Sequence, residues 1–259
     1  GQECYETAMD LVDMGCNIIF ADSFGHEPYM IEAAMQYPNV EFCHATGTRA
    51  HTEALPNYHN AFASIYEGRY LAGVAAGMKL QDLIDNGAIA KDEAVLGYVG
   101  AFPSVEIVSG YTAFLLGVRS VVPSATMRVR YTGTWSSYSR EKAAAKALID
   151  EGCVLIAQHT DTIGPAVACE EAVGTRRVYH VGYNQNMIDI APNTSLISTR
   201  VNWTPYVVAA TKAVLEGKEI EKSVGGSVHG NDVSAGLDLG WVEVLELNRQ
   251  LKEIGYTDK

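Results

Sequence analysis

In a chain that alternates strands with helices, ligands bind beyond the carboxyl ends of strands, so residues there are the first candidates for chemistry. Read in order, those ends carry Phe24 and Gly25, Ala45-Thr46-Gly47, Phe102, Trp135, His159-Thr160-Asp161, Tyr183 and Asn184, and Asn202-Trp203. The set is rich in aromatic rings and amides and poor in clustered acids and bases. Rings with a few polar groups suit a flat heterocyclic ligand, held by stacking and by hydrogen bonds to its edge. "QHTDTIG" (Gln158–Gly164) sets His159 two residues from Asp161, a pair that could hold a general base; ligand contact or capping of the next helix by Asp161 is the plainer reading. "YTGTWSSYSREKAAAKALIDEG" (Tyr131–Gly152) poses a similar choice for Trp135, which can pack or bind. Phe24 and Phe102 are open to the same two readings. Glu67 and Arg69 in "YEGRYLAG" read most simply as a solvated helix turn or a salt-bridged pair.

The enzyme templates find no match. There is no G-x-S-x-G, H-E-x-x-H, P-loop or G-x-G-x-x-G. His44 and His51 lie near a loop mouth with no carboxylate at a metal-ligand spacing. No metal and no cofactor are expected.

Composition narrows the class. The chain has 259 residues, 47% hydrophobic, enough for two modest domains with real cores. A formal net charge of −12 argues against nucleic acid as a partner. The five cysteines are widely spaced, without C-x-x-C, and read as buried thiols. No apolar run approaches the ~20 residues of a membrane-spanning helix.

The elements that must position these residues follow from periodicity and punctuation. "CYETAMDLVDMG" reads as a helix ending at Gly15. "NIIFADSFG" and "VEFCHATG" read as strands flanking the helix "PYMIEAAMQYP". A polar loop is expected over Thr48–Asn60, then an Ala/Gly-rich helix in "SIYEGRYLAGVAAGMKL", whose small residues allow close packing. Strand and helix then alternate through "AVLGYVGAF", "SVEIVSGYTAFLLGVRSV", "MRVRYTGTW", 137–151, "VLIAQHT", "GPAVACEEAV", "VYHVGYN", "SLISTRVN" and "TPYVVAATKAVLEG". Such alternation predicts parallel sheets. Asp82–Glu93 is a candidate crossing between domains. "VGGSVHGNDVSAG" (Val224–Gly236) is a turn, a hairpin or a return crossing. "WVEVLELNRQLKEIG" reads as a closing helix.

Several of these stretches, taken together and in order, resemble one family. "FADSFG", "HATG", "YEGRYLAGVAAG", "GYVGAFPSVEIVSGYTAF", "QHTDTIGPA" and "VGYNQNM" resemble the basic membrane protein family, the substrate-binding lipoproteins of ABC importers that include purine nucleoside receptors. "YEGRYLAG" followed by a strand and "FP-x-V/I-E" is the most specific part. "NWTPY" and "HTDT" are similar to the branch that binds purine bases such as adenine. The resemblance implies an α/β type I periplasmic-binding-protein fold of two Rossmann-like lobes with a multi-strand hinge. The first lobe is expected over residues 1–92 and 231–259, the second over 93–230, with the ligand cleft between them. It further implies that Trp135 is the ring on which the purine stacks, that Phe24 and Gly25 form a first-lobe turn beside the ligand, and that Asn57, Asp161, Tyr183 and Asn184 contact it. Phe102, His159 and Trp203 complete the expected ligand set. Asn184 stands where nucleoside-binding members carry an Asp for ribose, which favours a base. Family members carry a leading strand-helix-strand segment that this sequence is expected to lack, together with the lipid-anchored Cys that would tether it to a membrane. The partners implied are a small-molecule purine and an ABC permease, outside the cytoplasm. A nucleoside-hydrolysing enzyme using His159 and Asp161, or a ligand-sensing ectodomain, are the alternatives.

Overall fold

A computed structural model describes residues 1–255. The chain forms two compact units: Gly1–Ser64 with Val201–Val242, and Ile65–Arg200 with the segment from Glu243.

The first unit holds α1 (Gln2–Asp13), β1 (Ile18–Asp22), α2 (Glu27–Gln36), β2 (Glu41–Ala45), α3 (Ala50–Glu53) and β3 (Tyr58–Ala63). The second unit begins with α4 (Ile65–Asp85) and continues through β4 (Val95–Gly100), α5 (Val105–Val121), β5 (Thr126–Tyr131), α6 (Tyr138–Asp150), β6 (Leu155–His159), α7 (Gly164–Glu171), β7 (Tyr179–Tyr183) and β8 (Ser195–Val201). The chain then returns to the first unit for α8 (Thr204–Leu215), α9 (Ile220–Ser223), β9 (Ser227–His229) and β10 (Asp232–Ala235). It closes with β11 (Val242–Val244) and α10 (Arg249–Glu253).

The first sheet has strand order β1-β2-β3-β10-β9, parallel except for the β10–β9 pair. Its core is Met30, Ile31, Ala33, Phe42 and Tyr58. The expected loop over Thr48–Asn60 in fact runs into β3, in the middle of this sheet. His59 and Asn60 disguise that strand in the sequence. Both are buried, and a buried polar side chain is tolerated when it is paired. Asn60 Nδ2 donates to Gly47 O and Asp232 Oδ1, both at 2.8 Å, and its Oδ1 accepts from Gly47 N at 2.8 Å. His59 lies between Glu221 Oε1 (2.5 Å) and Glu41 Oε2 (2.9 Å). Of the three readings of Val224–Gly236, the hairpin holds: His229 pairs with Asp232 across a Gly230-Asn231 turn, and Gly230 takes φ +58.

The second sheet has order β11-β8-β7-β6-β4-β5, with β4 to β8 mutually parallel. Leu80, Leu96, Tyr98, Ile107, Phe114, Val118 and Leu155 form its core. The small residues of α4 serve a helix–helix contact. A Cβ on Gly73 would lie 2.2 Å from Phe114 O, and one on Gly117 would lie 2.2 Å from Tyr70 O. This contact ties α4 to α5 and places α4 in the second unit, so the chain passes between units at 64/65, 200/201 and 242/243 and not at 92/93 and 230/231. Asp82–Glu93 is accordingly not a crossing.

The closing segment is not one helix. Trp241 is 1% exposed, Val242–Val244 form a strand beside β8, and helix begins only at Arg249. Asn248 stops the extended run and caps the helix, its side chain accepting from Gln250 N at 3.0 Å. Among the cysteines Cys43, Cys153 and Cys169 are buried, whereas Cys4 and Cys16 are partly exposed; all five are free.

Candidate functional site

On the second unit the carboxyl ends of β4, β6 and β7 and the first turn of α5 bring together a set of buried polar side chains beside aromatic rings. β6 ends on His159, which is fully buried, and β7 ends on Tyr183, with ring centroids 4.3 Å apart. Glu106 enters from the first turn of α5. Its Oε1 lies 3.2 Å from His159 Nε2 and accepts from the Tyr183 hydroxyl at 3.1 Å. Tyr98, from the middle of β4, places its hydroxyl 3.2 Å from His159 Nδ1.

These contacts fix the protons. An ionised carboxylate only accepts, so His159 carries its hydrogen on Nε2 and Nδ1 accepts from Tyr98. Burial, reinforced by the Arg69 charge, pushes His159 down to about 4, so the imidazole is neutral at pH 7. Burial opposes the Glu106 charge, but hydrogen bonds from His159 and Tyr183 and the Arg69 guanidinium outweigh it and hold the carboxyl below its ordinary range. Burial raises Tyr98 to about 12, so that hydroxyl remains a donor.

Arg69 overturns its sequence reading. It is 0% exposed. Its amino groups donate to Gln158 O (2.6 Å) and Gly182 O (3.2 Å), stitching β6 to β7, and its guanidinium lies 4.7 Å from the Tyr183 ring centroid. Its spacing carries the signal, since Arg69, Ala72, Gly73, Ala76 and Leu80 make the buried face of α4.

Around this cluster stand the expected aromatics. Trp135 follows β5 and is partly buried; its ring meets Phe102 edge-on at 6.4 Å and His159 at 6.2 Å. Its carbonyl accepts from Asp161 N at 2.9 Å, so the loops after β5 and β6 hold each other. Phe102 is 37% exposed. Asp161 is partly buried. Asn184 is exposed, has φ +58, and its backbone N–H is bonded to Thr199 O. The carboxylate that meets His159 is therefore Glu106, 53 residues away in sequence. A general-base role for His159 fits poorly, because both ring nitrogens are engaged and the ring is fully buried.

On the first unit, Phe24 is 50% exposed in the turn after β1, and a Cβ on Gly25 would meet open space. His44, buried at the end of β2, fixes this turn through Nε2 to Ser23 O at 2.8 Å. Trp203 caps α8 and meets Trp241 edge-on at 6.0 Å. Asn57 departs from expectation. It precedes β3, at the amino edge of the sheet, and its amide nitrogen donates to Ala34 O, Tyr37 O and Val40 O at 2.9–3.0 Å. Asn57 is thus a staple for the end of α2, turned away from the strand ends that carry Phe24.

A two-sheet α/β chain with aromatic and polar groups at parallel strand ends is the architecture of the solute-binding proteins of ABC transporters. The chain belongs to the family described as ABC transporter substrate-binding protein PnrA-like, which it matches over residues 2–257. It is 33% identical over 84% of its length to a purine-binding protein of Brucella abortus (strain 2308), covering 57% of that protein. It is 37% identical over 78% of its length to a putative ABC transporter glucose-binding protein of Haloferax volcanii, covering 46% of it. The chain thus spans about half the length of these two relatives. A solved solute-binding protein of an Aeropyrum pernix K1 ABC transporter system superposes with a TM-score of 0.75 over 95% of this chain and 65% of that one, at 17% identity.

Proposed function

We propose that this protein captures a purine base or nucleoside, an adenine-like base being favoured, by closure of two lobes, and delivers it to an ABC permease outside the cytoplasm. No helix among the described residues is long and apolar enough to cross a membrane. The observation that carries the reading is the placement of Trp135. It is partly exposed at a strand end, braced edge-on by Phe102 and His159, beside a carboxylate and a phenol that can meet the polar edge of a heterocycle. The purine-binding relative supports it. Trp135, Phe102, Tyr183 and Asp161 are the contacts proposed on the second unit, with Asn184 at the rim; Phe24, Gly25 and Trp203 are those proposed on the first. His159 acts by orienting Glu106 and Tyr183.

The glucose-binding relative supplies the competing ligand, because sugar hydroxyls also bond carboxylates and the C–H face of a sugar also packs on aromatic rings. Calorimetry with adenine, hypoxanthine, adenosine, inosine and glucose separates the two. Saturable purine binding with no heat from glucose is expected. Glucose binding alone would reassign the site to a hexose.

A further inference from the structure

Glu106 is 7% exposed, and its Oε1 already receives two hydrogen bonds. No hydrogen bond to Oε2 is found among the described residues, and it is not sealed from solvent as the unpartnered Arg69 Nε is. The carboxylate is thus held by one oxygen and offers the other. We propose that Glu106 is the specificity-determining residue of this ligand surface: a fixed anion that accepts an N–H or O–H from an uncharged purine and turns away phosphorylated purines. This rests on the purine reading above.

Three features carry it. First, the carboxylate is positioned from both sides, by His159 Nε2 at 3.2 Å and the Tyr183 hydroxyl at 3.1 Å, so it cannot swing away to relieve a repulsive ligand. Second, it adjoins the stacking ring through a common neighbour, since the His159 ring contacts both Trp135 and Glu106. Third, the buried cation of this cluster is not available to a ligand. Arg69 is fully buried, with its amino groups spent on the Gln158 and Gly182 carbonyls. Its charge favours the Glu106 anion through space, with no ion pair between the two among the described residues. A phosphate brought to such a surface meets an anion without a counter-cation, which is discrimination by repulsion. A ligand N–H instead makes a charge-assisted hydrogen bond.

The test measures adenine, adenosine and adenosine monophosphate on the wild-type chain and on Glu106→Gln, with thermal melts of both. In the wild type, the monophosphate is expected to bind at least about 100-fold more weakly than adenosine. Glu106→Gln keeps an acceptor for His159 and Tyr183. It should weaken adenine and adenosine by about 10- to 100-fold and bring the monophosphate to within about 10-fold of adenosine. Glu106→Asp keeps the charge beside Arg69 and should keep the monophosphate excluded; it decides the matter if the Gln variant does not fold. Equal wild-type affinity for adenosine and its monophosphate would overturn the inference. So would a Gln variant whose melting temperature falls while the adenosine-to-monophosphate ratio stays unchanged, the mark of a purely structural carboxylate. A wild-type chain that binds none of the three ligands fails the purine reading itself, and the inference with it. Purine binding with an unmoved ratio fails the inference alone.

Discussion

His159 Nε2 donates to Glu106 Oε1 across 3.2 Å, a neutral imidazole locked on an ionised carboxylate in an almost solvent-free cluster. Such a pair is stable only while its protonation states are kept, so it links the site to pH.

On the acid side, burial with the Arg69 charge puts His159 at about 4, and the same two causes put His180 at about 3, against an ordinary 6.5. Below pH 6.5 the unfolded chain takes up protons that these folded imidazoles refuse, so stability falls between pH 6.5 and 4. The two together should cost roughly 3–5 kcal/mol by pH 4.5. On the alkaline side His59 has the opposite sign. Its burial opposes charge, but Glu221 and Glu41 outweigh it and raise it to about 9. Its stabilisation is complete below pH 6.5 and is lost as pH rises to 9. Melting temperature against pH should therefore peak near 6.5–7. His59→Gln should flatten the alkaline limb alone; an unchanged limb would contradict the ion triad.

The α4–α5 contact makes a second prediction. Gly117→Ala would place a Cβ 2.2 Å from Tyr70 O, a backbone atom that cannot step aside. The helices must separate, at a cost of about 1–3 kcal/mol by denaturant unfolding. Gly87→Ala, in open space but at φ +72, tests strain without contact, and its cost should be smaller.

Asn57 gives a third. Asn57→Ala strips three carbonyls of their shared donor and should destabilise the chain by about 1–3 kcal/mol. Purine affinity, measured well below the melting temperature, should not move. A selective loss of affinity would return Asn57 to the ligand site.

Much of this is legible in the sequence, because the buried strands run into turn residues that punctuate them locally: Pro103, Ser136, Thr160 and Asn184. Phe102, Trp135, His159 and Tyr183 stand just before them, and "YEGRYLAG" and "FPSVE" mark the family. What was hidden depends on contacts far apart in sequence. β3 carries His59 and Asn60, polar residues whose partners Glu221 and Asp232 lie more than 160 residues away. Arg69 resembles a surface charge until Gln158 and Gly182 supply its acceptors. Proximity along the chain offers Asp161 as a possible partner for His159, whereas the fold brings Glu106. α4 falls in the second unit through the contact of Gly73 with Phe114 and Gly117, which has no local signature in the sequence.

The central claim is that Trp135 is the stacking surface for a purine. Calorimetric titration of Trp135→Ala with adenine, beside a thermal melt, tests it most directly. A stacked base contributes about 1–3 kcal/mol, so affinity should fall by about 10- to 100-fold while the melting temperature stays within a few degrees of the wild type. Unchanged adenine affinity, or loss of the fold with no specific loss of binding, would contradict it and return Trp135 to the packing of the second unit.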